Sequence, residues 1–123
     1  MKTDQITTLD ELKRKVQQFC EERDWDQFHN PKDLAIGVST EANELLDIFR
    51  FKTEQQTRDI LLNPNKRKHV EEELADTLFF ILRFAQMNDI DLNDILENKL
   101  KKNNEKYPVE KSKGNNEKYT EFE

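Results

Sequence analysis

The sequence predicts an all-α protein, a four-helix bundle, on three observations. Apolar residues recur every three or four positions through four long stretches, the spacing of one helix face. The 123 residues include only two glycines and three prolines, too few for a sheet protein with many tight turns. The breaks that do occur, Asn30-Pro31, Asn63-Pro64 and Tyr107-Pro108, fall between the periodic stretches rather than inside them.

The first helix is expected from about Leu9 to Arg23. Thr8-Leu9-Asp10-Glu11 has the Thr-x-x-Glu form of a capping box, and Leu9, Leu12, Val16 and Phe19 follow at helical spacing. Cys20 borders that face with no nearby His or basic cluster to activate it, so it reads as a packing residue. Arg23 to Asn30 has no clean period and reads as a connecting loop. Its Trp25, Phe28 and His29 fit two readings: a set that stacks on a base and hydrogen-bonds its edge, or a plug at one end of the bundle with His29 as a cap.

The second helix is expected from about Pro31 to Phe49, with Leu34, Val38, Ala42, Leu45 and Phe49 on its core face. Thr53 to Leu62 reads as a short helix with Thr53 as N-cap and Ile60, Leu61 and Leu62 turned to the core. The third long helix begins after Pro64 and runs to about Met87. Leu78, Phe79, Phe80, Ile81, Leu82 and Phe84 make it apolar on nearly every side, so a second subunit is expected to cover what one small bundle leaves open. Asn88 to Asp91 reads as a turn. The fourth helix spans about Leu92 to Lys106, with Leu92, Ile95, Leu96 and Leu100 facing inward. Residues 109–123 read as a polar, aperiodic tail after a single domain of residues 1–108.

Composition narrows the function. One cysteine cannot form an internal disulfide, and Met1 to Gln5 lacks a hydrophobic signal-peptide core, so a reducing cytoplasm is the expected compartment. No apolar stretch reaches the roughly 18 residues of a membrane span. The net charge of −6 opposes nonspecific binding to nucleic acid or an anionic membrane, and neither is expected as a partner. The charge is unevenly spread: residues 98–118 carry seven Lys against three Glu, a net of +4, which leaves −10 on the remainder. An acidic body with a basic end suits a site where metal-loaded carboxylates meet a phosphate-bearing ligand, although a solvated tail would carry the same charges.

Two acidic clusters stand inside the apolar runs, Glu41-Ala-Asn-Glu44 and Glu73-Leu-Ala-Asp76. Carboxylates three residues apart share a helix face, and by helical angle Glu41 falls between Leu45 and Ile48 while Glu73 falls between Phe80 and Phe84. Acids gathered among apolar side chains are costly to ionise unless cations neutralise them, and oxygen-only ligands select hard ions such as Mg²⁺. Spacing alone also fits ordinary surface acids in a chain that is 37% charged. There is no Gly-rich phosphate loop, no Cys or His cluster for zinc, and no Ser-His-Asp set with a recognisable nucleophile. What remains is chemistry by metal and water, in which carboxylates holding Mg²⁺ clamp a polyphosphate and favour attack of water on phosphorus. The non-catalytic alternative is a helical interaction module whose acids bind Ca²⁺ or solubilise it.

A wider set of motifs goes beyond these arguments. The segment from Glu22 to Pro31, Glu-Arg-Asp-Trp-Asp-Gln-Phe-His-Asn-Pro, is followed by Glu41-x-x-Glu44-Leu, Glu73-x-x-Asp76, Asn103-x-x-Lys106-Tyr107-Pro108 and Lys118-Tyr119-Thr120-Glu121. Together they resemble the MazG-like all-α nucleoside triphosphate pyrophosphohydrolases, and within them the dCTP pyrophosphatase branch. The resemblance spans nearly the whole chain. It implies Mg²⁺-dependent hydrolysis of a (deoxy)nucleoside triphosphate, with dCTP or a modified dCTP favoured, to the monophosphate and pyrophosphate by a homodimer or homotetramer. It also implies that Glu41, Glu44, Glu73 and Asp76 hold the metal. By the same resemblance Trp25, Asp26, Gln27, Phe28 and His29 form the base and sugar pocket, and Lys99, Asn103 and Lys106 approach the phosphates. Two departures bear on the substrate: Phe51 stands where the branch often has a Trp for the base, and Val16 where some members place a His.

Overall fold

The computed structural model describes residues 2–121 and is all-α, with no strand among the described residues. Its helices are α1 (Leu9–Glu22), α2 (Pro31–Phe49), α3 (Glu54–Leu62), α4 (Pro64–Met87), α5 (Leu92–Lys106) and the one-turn α6 (Val109–Ser112). Two short 3₁₀ turns, Asp26–Phe28 and Tyr119–Glu121, complete it. The chain divides into two compact units, one up to Asp89 and one from Ile90 onward.

Side-chain caps start the helices where polar residues precede the apolar runs. Thr8 accepts a hydrogen bond from the Glu11 amide at 3.1 Å, while the Glu11 carboxylate engages Lys2 at 3.0 Å. Asn30 accepts from the Asp33 amide at 2.9 Å, and Asn63 from the Asn65 and Lys66 amides at 3.1 Å, each just before a proline whose missing N–H costs nothing at a helix start. At α3 the cap is a full capping box: Gln56 N–H donates to Thr53 Oγ1 at 3.2 Å and Thr53 N–H to Gln56 Oε1 at 2.9 Å.

In the first unit α4 is the central element. Its 24 residues span about 36 Å, and α1, α2 and α3 each pack against it. The buried core draws Cys20 from α1, Leu34 from α2, Ile60 from α3, and Val70, Leu82 and Ala85 from α4. Burial raises the Cys20 thiol pKa, which keeps it a protonated packing residue.

Several expectations need correction. Arg23 to Asn30 is not wholly irregular, since Asp26–Phe28 winds into a 3₁₀ turn. The short helix expected after Thr53 is present as α3, so the first unit holds four helices, and α5 and α6 follow in the second. Within α3 only Ile60 is buried. Leu61 and Leu62 are exposed, because neighbouring residues on a helix point about 100° apart and cannot share one face. Along α5, Ile95, Leu96 and Leu100 are exposed rather than buried. The tail is not featureless either: the Tyr119 ring packs edge-on against Tyr107 at 5.9 Å. The last two tail residues, 122 and 123, lie outside the described residues. No helix among the described residues is long and apolar enough to cross a membrane.

Candidate active site

The site begins with a close helix approach. A Cβ on Gly37 of α2 would lie 2.6 Å from the Phe80 ring of α4, so only glycine lets the two helices come this near. Moving forward along α2 by about one turn at a time matches moving back along α4. Gly37 faces Phe80, Glu41 meets Asp76, Glu44 reaches Glu73, and Ile48 lies across from His69. This antiparallel register stacks the two acidic pairs directly on the glycine contact.

Glu41, Glu73 and Asp76 each offer a carboxylate oxygen within 4.8 Å of the others. Glu44 joins them, in hydrogen-bonding reach of both Glu41 and Glu73. The Oε2 atoms of Glu41 and Glu73 are buried and have no hydrogen-bond partner. Buried, unpaired carboxylate oxygens are expensive, so this geometry favours either a shared proton or a cation. Without a metal, the arrangement favours holding a proton. Burial first, and then the neighbouring Glu44, Asp76 and Glu73, push the Glu41 carboxyl up to about 7. Glu73 is raised chiefly by its hydrogen bond with Glu44, then by burial, with His69 opposing. All four donors are hard oxygens of like charge, and so the set fits a divalent cation such as Mg²⁺.

A groove of about 400 Å³ opens beside the cluster, lined by Glu44, Asp47, Ile48, His69 and Glu73. His69 Nε2 lies 3.4 Å from Glu73 Oε1. Sequence reasoning missed His69, although its spacing of four residues from Glu73 on a helix was the available signal.

The aromatic loop packs against α1 and α4. Trp25 stacks edge-on against Phe19 at 5.6 Å and His29 at 6.2 Å, and Phe19 continues through Phe79 at 5.8 Å to Phe80. Trp25 thus packs in part, yet remains 37% exposed. Phe28 is exposed, and Gln27 turns back to donate to the Asp24 carboxylate and carbonyl, both at 3.0 Å.

The residue that anchors this loop is Arg83, also missed from sequence. Its side chain is 1% exposed. Nε–H donates to His29 Nδ1 at 2.9 Å, an Nη donates to Gln86 Oε1 at 2.6 Å, and the other Nη is paired with the Asp26 carboxylate. A buried guanidinium is tolerated only with such partners. The signal was an arginine inside the apolar run Leu78 to Ala85, where a charge has to be either exposed or paired. Burial, followed by the Arg83 charge, lowers the His29 pKa against the opposing pull of Asp26, which favours the neutral imidazole.

The remaining expected site residues are Phe51, which follows α2, and three residues of α5. Phe51 follows α2 with φ +63°, an uncommon backbone state for a bulky residue, and is 91% exposed, with the Arg50 guanidinium 4.7 Å over its ring. Lys99, Asn103 and Lys106 belong to α5 in the second unit. Asn103 is half-buried there, Lys99 is exposed, and Lys106 Nζ lies 5.0 Å from the Tyr119 ring.

Comparison with known proteins adds four findings. The sequence profile of the MazG-like family matches residues 36–122. Over 115 residues the chain is 33% identical to dCTP pyrophosphatase 1 of Rattus norvegicus, spanning 94% of this chain and 68% of that one. The corresponding Homo sapiens protein is 32% identical over the same shares. The crystal structure of a pyrophosphatase from Archaeoglobus fulgidus DSM 4304 aligns with a TM-score of 0.76 at 33% identity, covering 81% of this chain and 92% of that chain.

Proposed function

The chain belongs to the MazG-like family and is a nucleoside triphosphate pyrophosphatase, and from that premise we propose that it uses Mg²⁺ to convert dCTP or a 5-substituted dCTP to the monophosphate and pyrophosphate. The observation that carries this reading is the carboxylate cluster across α2 and α4, with two buried oxygens that lack any hydrogen-bond partner. Glu41, Glu44, Glu73 and Asp76 would hold the metal. When bound, Mg²⁺ supplies neutralisation of the triphosphate charge and a lowered pKa for the attacking water.

The protein's own side chains need to do three further things. The acids keep the donor oxygens within reach of one another, an arrangement set by the Gly37 and Phe80 contact. Trp25 offers a flat face on which a base stacks, an interaction worth about 1–3 kcal/mol that discriminates poorly between bases. His29 reads the edge of the base or the sugar, with Asp26, Gln27 and Phe28 completing the loop and Phe51 supplying a second aromatic surface. By the family resemblance, Lys99, Asn103 and Lys106 would meet the phosphates. With Phe51 in place of a larger indole, the pocket accommodates a substituent on the pyrimidine ring more readily. Removal of excess or modified nucleotides from a cytoplasmic pool is the role this chemistry serves.

A panel of ribo- and deoxynucleoside triphosphates, assayed with and without Mg²⁺, tests the reading. Pyrophosphate release, fastest with dCTP or its 5-methyl derivative and absent without divalent metal, is the expected result. Release of orthophosphate, or a preference for purines, would overturn it.

A further inference from the structure

The buried Arg83 is unnecessary for packing, because an apolar side chain at that core position would avoid the cost of burying a charge. Its partners show what the charge is used for. Two of the three, Asp26 and His29, belong to the loop with Trp25, and the third, Gln86, sits one turn along α4 and fixes the guanidinium. The planar fork of arginine can aim separate N–H groups at a carboxylate and at a ring nitrogen, which the compact ammonium of lysine cannot do.

We infer that Arg83 is a positioning residue that holds His29 by Nδ1, so that the imidazole presents Nε2–H as a fixed hydrogen-bond donor to an acceptor on the base or sugar of the nucleotide. The inference rests on the Trp25 to His29 loop being the nucleotide pocket. A neutral imidazole has one N–H and one bare nitrogen, and the bare nitrogen is the one that accepts from Arg83 Nε–H. The proton is therefore on Nε2. The ring is also restrained by two contacts, the Arg83 hydrogen bond at 2.9 Å and the Trp25 edge contact at 6.2 Å. A site built around a dedicated donor selects for ligands that carry an acceptor there, because a ligand without one leaves that donor unpaired.

The test begins with the wild-type protein. Long-range ¹H–¹⁵N spectra at pH 7, with the two histidines told apart by a His29→Gln variant, read the tautomer directly. His29 protonated on Nε2 alone is expected, whereas an Nδ1–H tautomer or an imidazolium overturns the inference whether or not any variant folds. Arg83→Met, which removes the fork but fills similar space, should yield a mixture of tautomers. It should raise KM for dCTP about tenfold while kcat changes by less than about twofold. Arg83→Lys keeps the charge without the fork and should recover neither property; full recovery would show that charge alone matters and overturn the inference. Trp25→Ala separates the two levels of the argument. If Trp25→Ala raises KM and Arg83→Met does not, the pocket stands and the role of Arg83 fails. If neither changes KM although the tautomer has shifted, the pocket assignment itself fails, and this inference with it.

Discussion

Glu41 shows how burial and charge crowding combine at one residue. Its folded-state pKa of about 7 lies above the usual 4.5 of an isolated side chain, so between these values the folded metal-free protein holds a proton that the unfolded chain has already released. That proton contributes stability in full below about pH 4.5 and the contribution disappears as pH rises through about 7. Glu41→Gln removes the titration while keeping the shape. In chelator-treated buffer the variant should therefore gain stability relative to wild type as pH goes from 5 to 8, read by urea unfolding at each pH. A difference independent of pH would show that Glu41 is not strained by its neighbours. Other single residues were visible from sequence only in part. Glu41 and Glu73 were legible because an acid among apolar positions contradicts the helix pattern. Arg83 contradicts it just as clearly, but its partners Asp26 and His29 are 57 and 54 residues away, a separation that periodicity cannot bridge.

At the scale of elements, the acids depend on how α2 meets α4. Gly37→Ala sets two magnitudes against each other. Alanine improves helix propensity by about 1 kcal/mol, while overpacking a tight contact costs about 1–3 kcal/mol. The Phe80 ring would have to yield, and it is already packed edge-on against Phe79 at 5.3 Å. Net destabilisation with weaker Mg²⁺ binding is expected, measured by urea unfolding and by calorimetric titration of the metal. A variant about 1 kcal/mol more stable than wild type would show that the helices are not in this register. Helix boundaries were legible because caps and prolines are local: the helix expected from about Pro31 to Phe49 occurs with those bounds, and the one expected to begin after Pro64 includes Pro64 itself and ends at Met87. The pairing of Gly37 with Phe80 was not, since one glycine in a helix does not reveal what packs over it. The inward faces assigned to Ile95, Leu96 and Leu100 were misread for a related reason: apolar spacing marks a sticky face but does not say that the same chain covers it.

For the whole molecule, those uncovered faces matter. Leu74, Leu78 and Ile81 form one stripe along α4 and are 56%, 43% and 37% exposed, while Ile95, Leu96 and Leu100 on α5 are at least half exposed. Contiguous apolar patches beyond a few hundred Å² are rare on soluble monomers. We propose that further copies of this chain cover them, as a homodimer or homotetramer. Light scattering at micromolar concentration should report a multiple of 14.8 kDa, and a stable species of 14.8 kDa would count against this. The central claim, that the α2 and α4 carboxylates form the catalytic metal centre, is tested most directly by pyrophosphate release from dCTP by Asp76→Asn at saturating Mg²⁺. The account predicts a folded protein whose turnover falls at least about a hundredfold, equivalent to about 2.7 kcal/mol of lost transition-state stabilisation. Turnover close to wild type in a folded Asp76→Asn protein would contradict it.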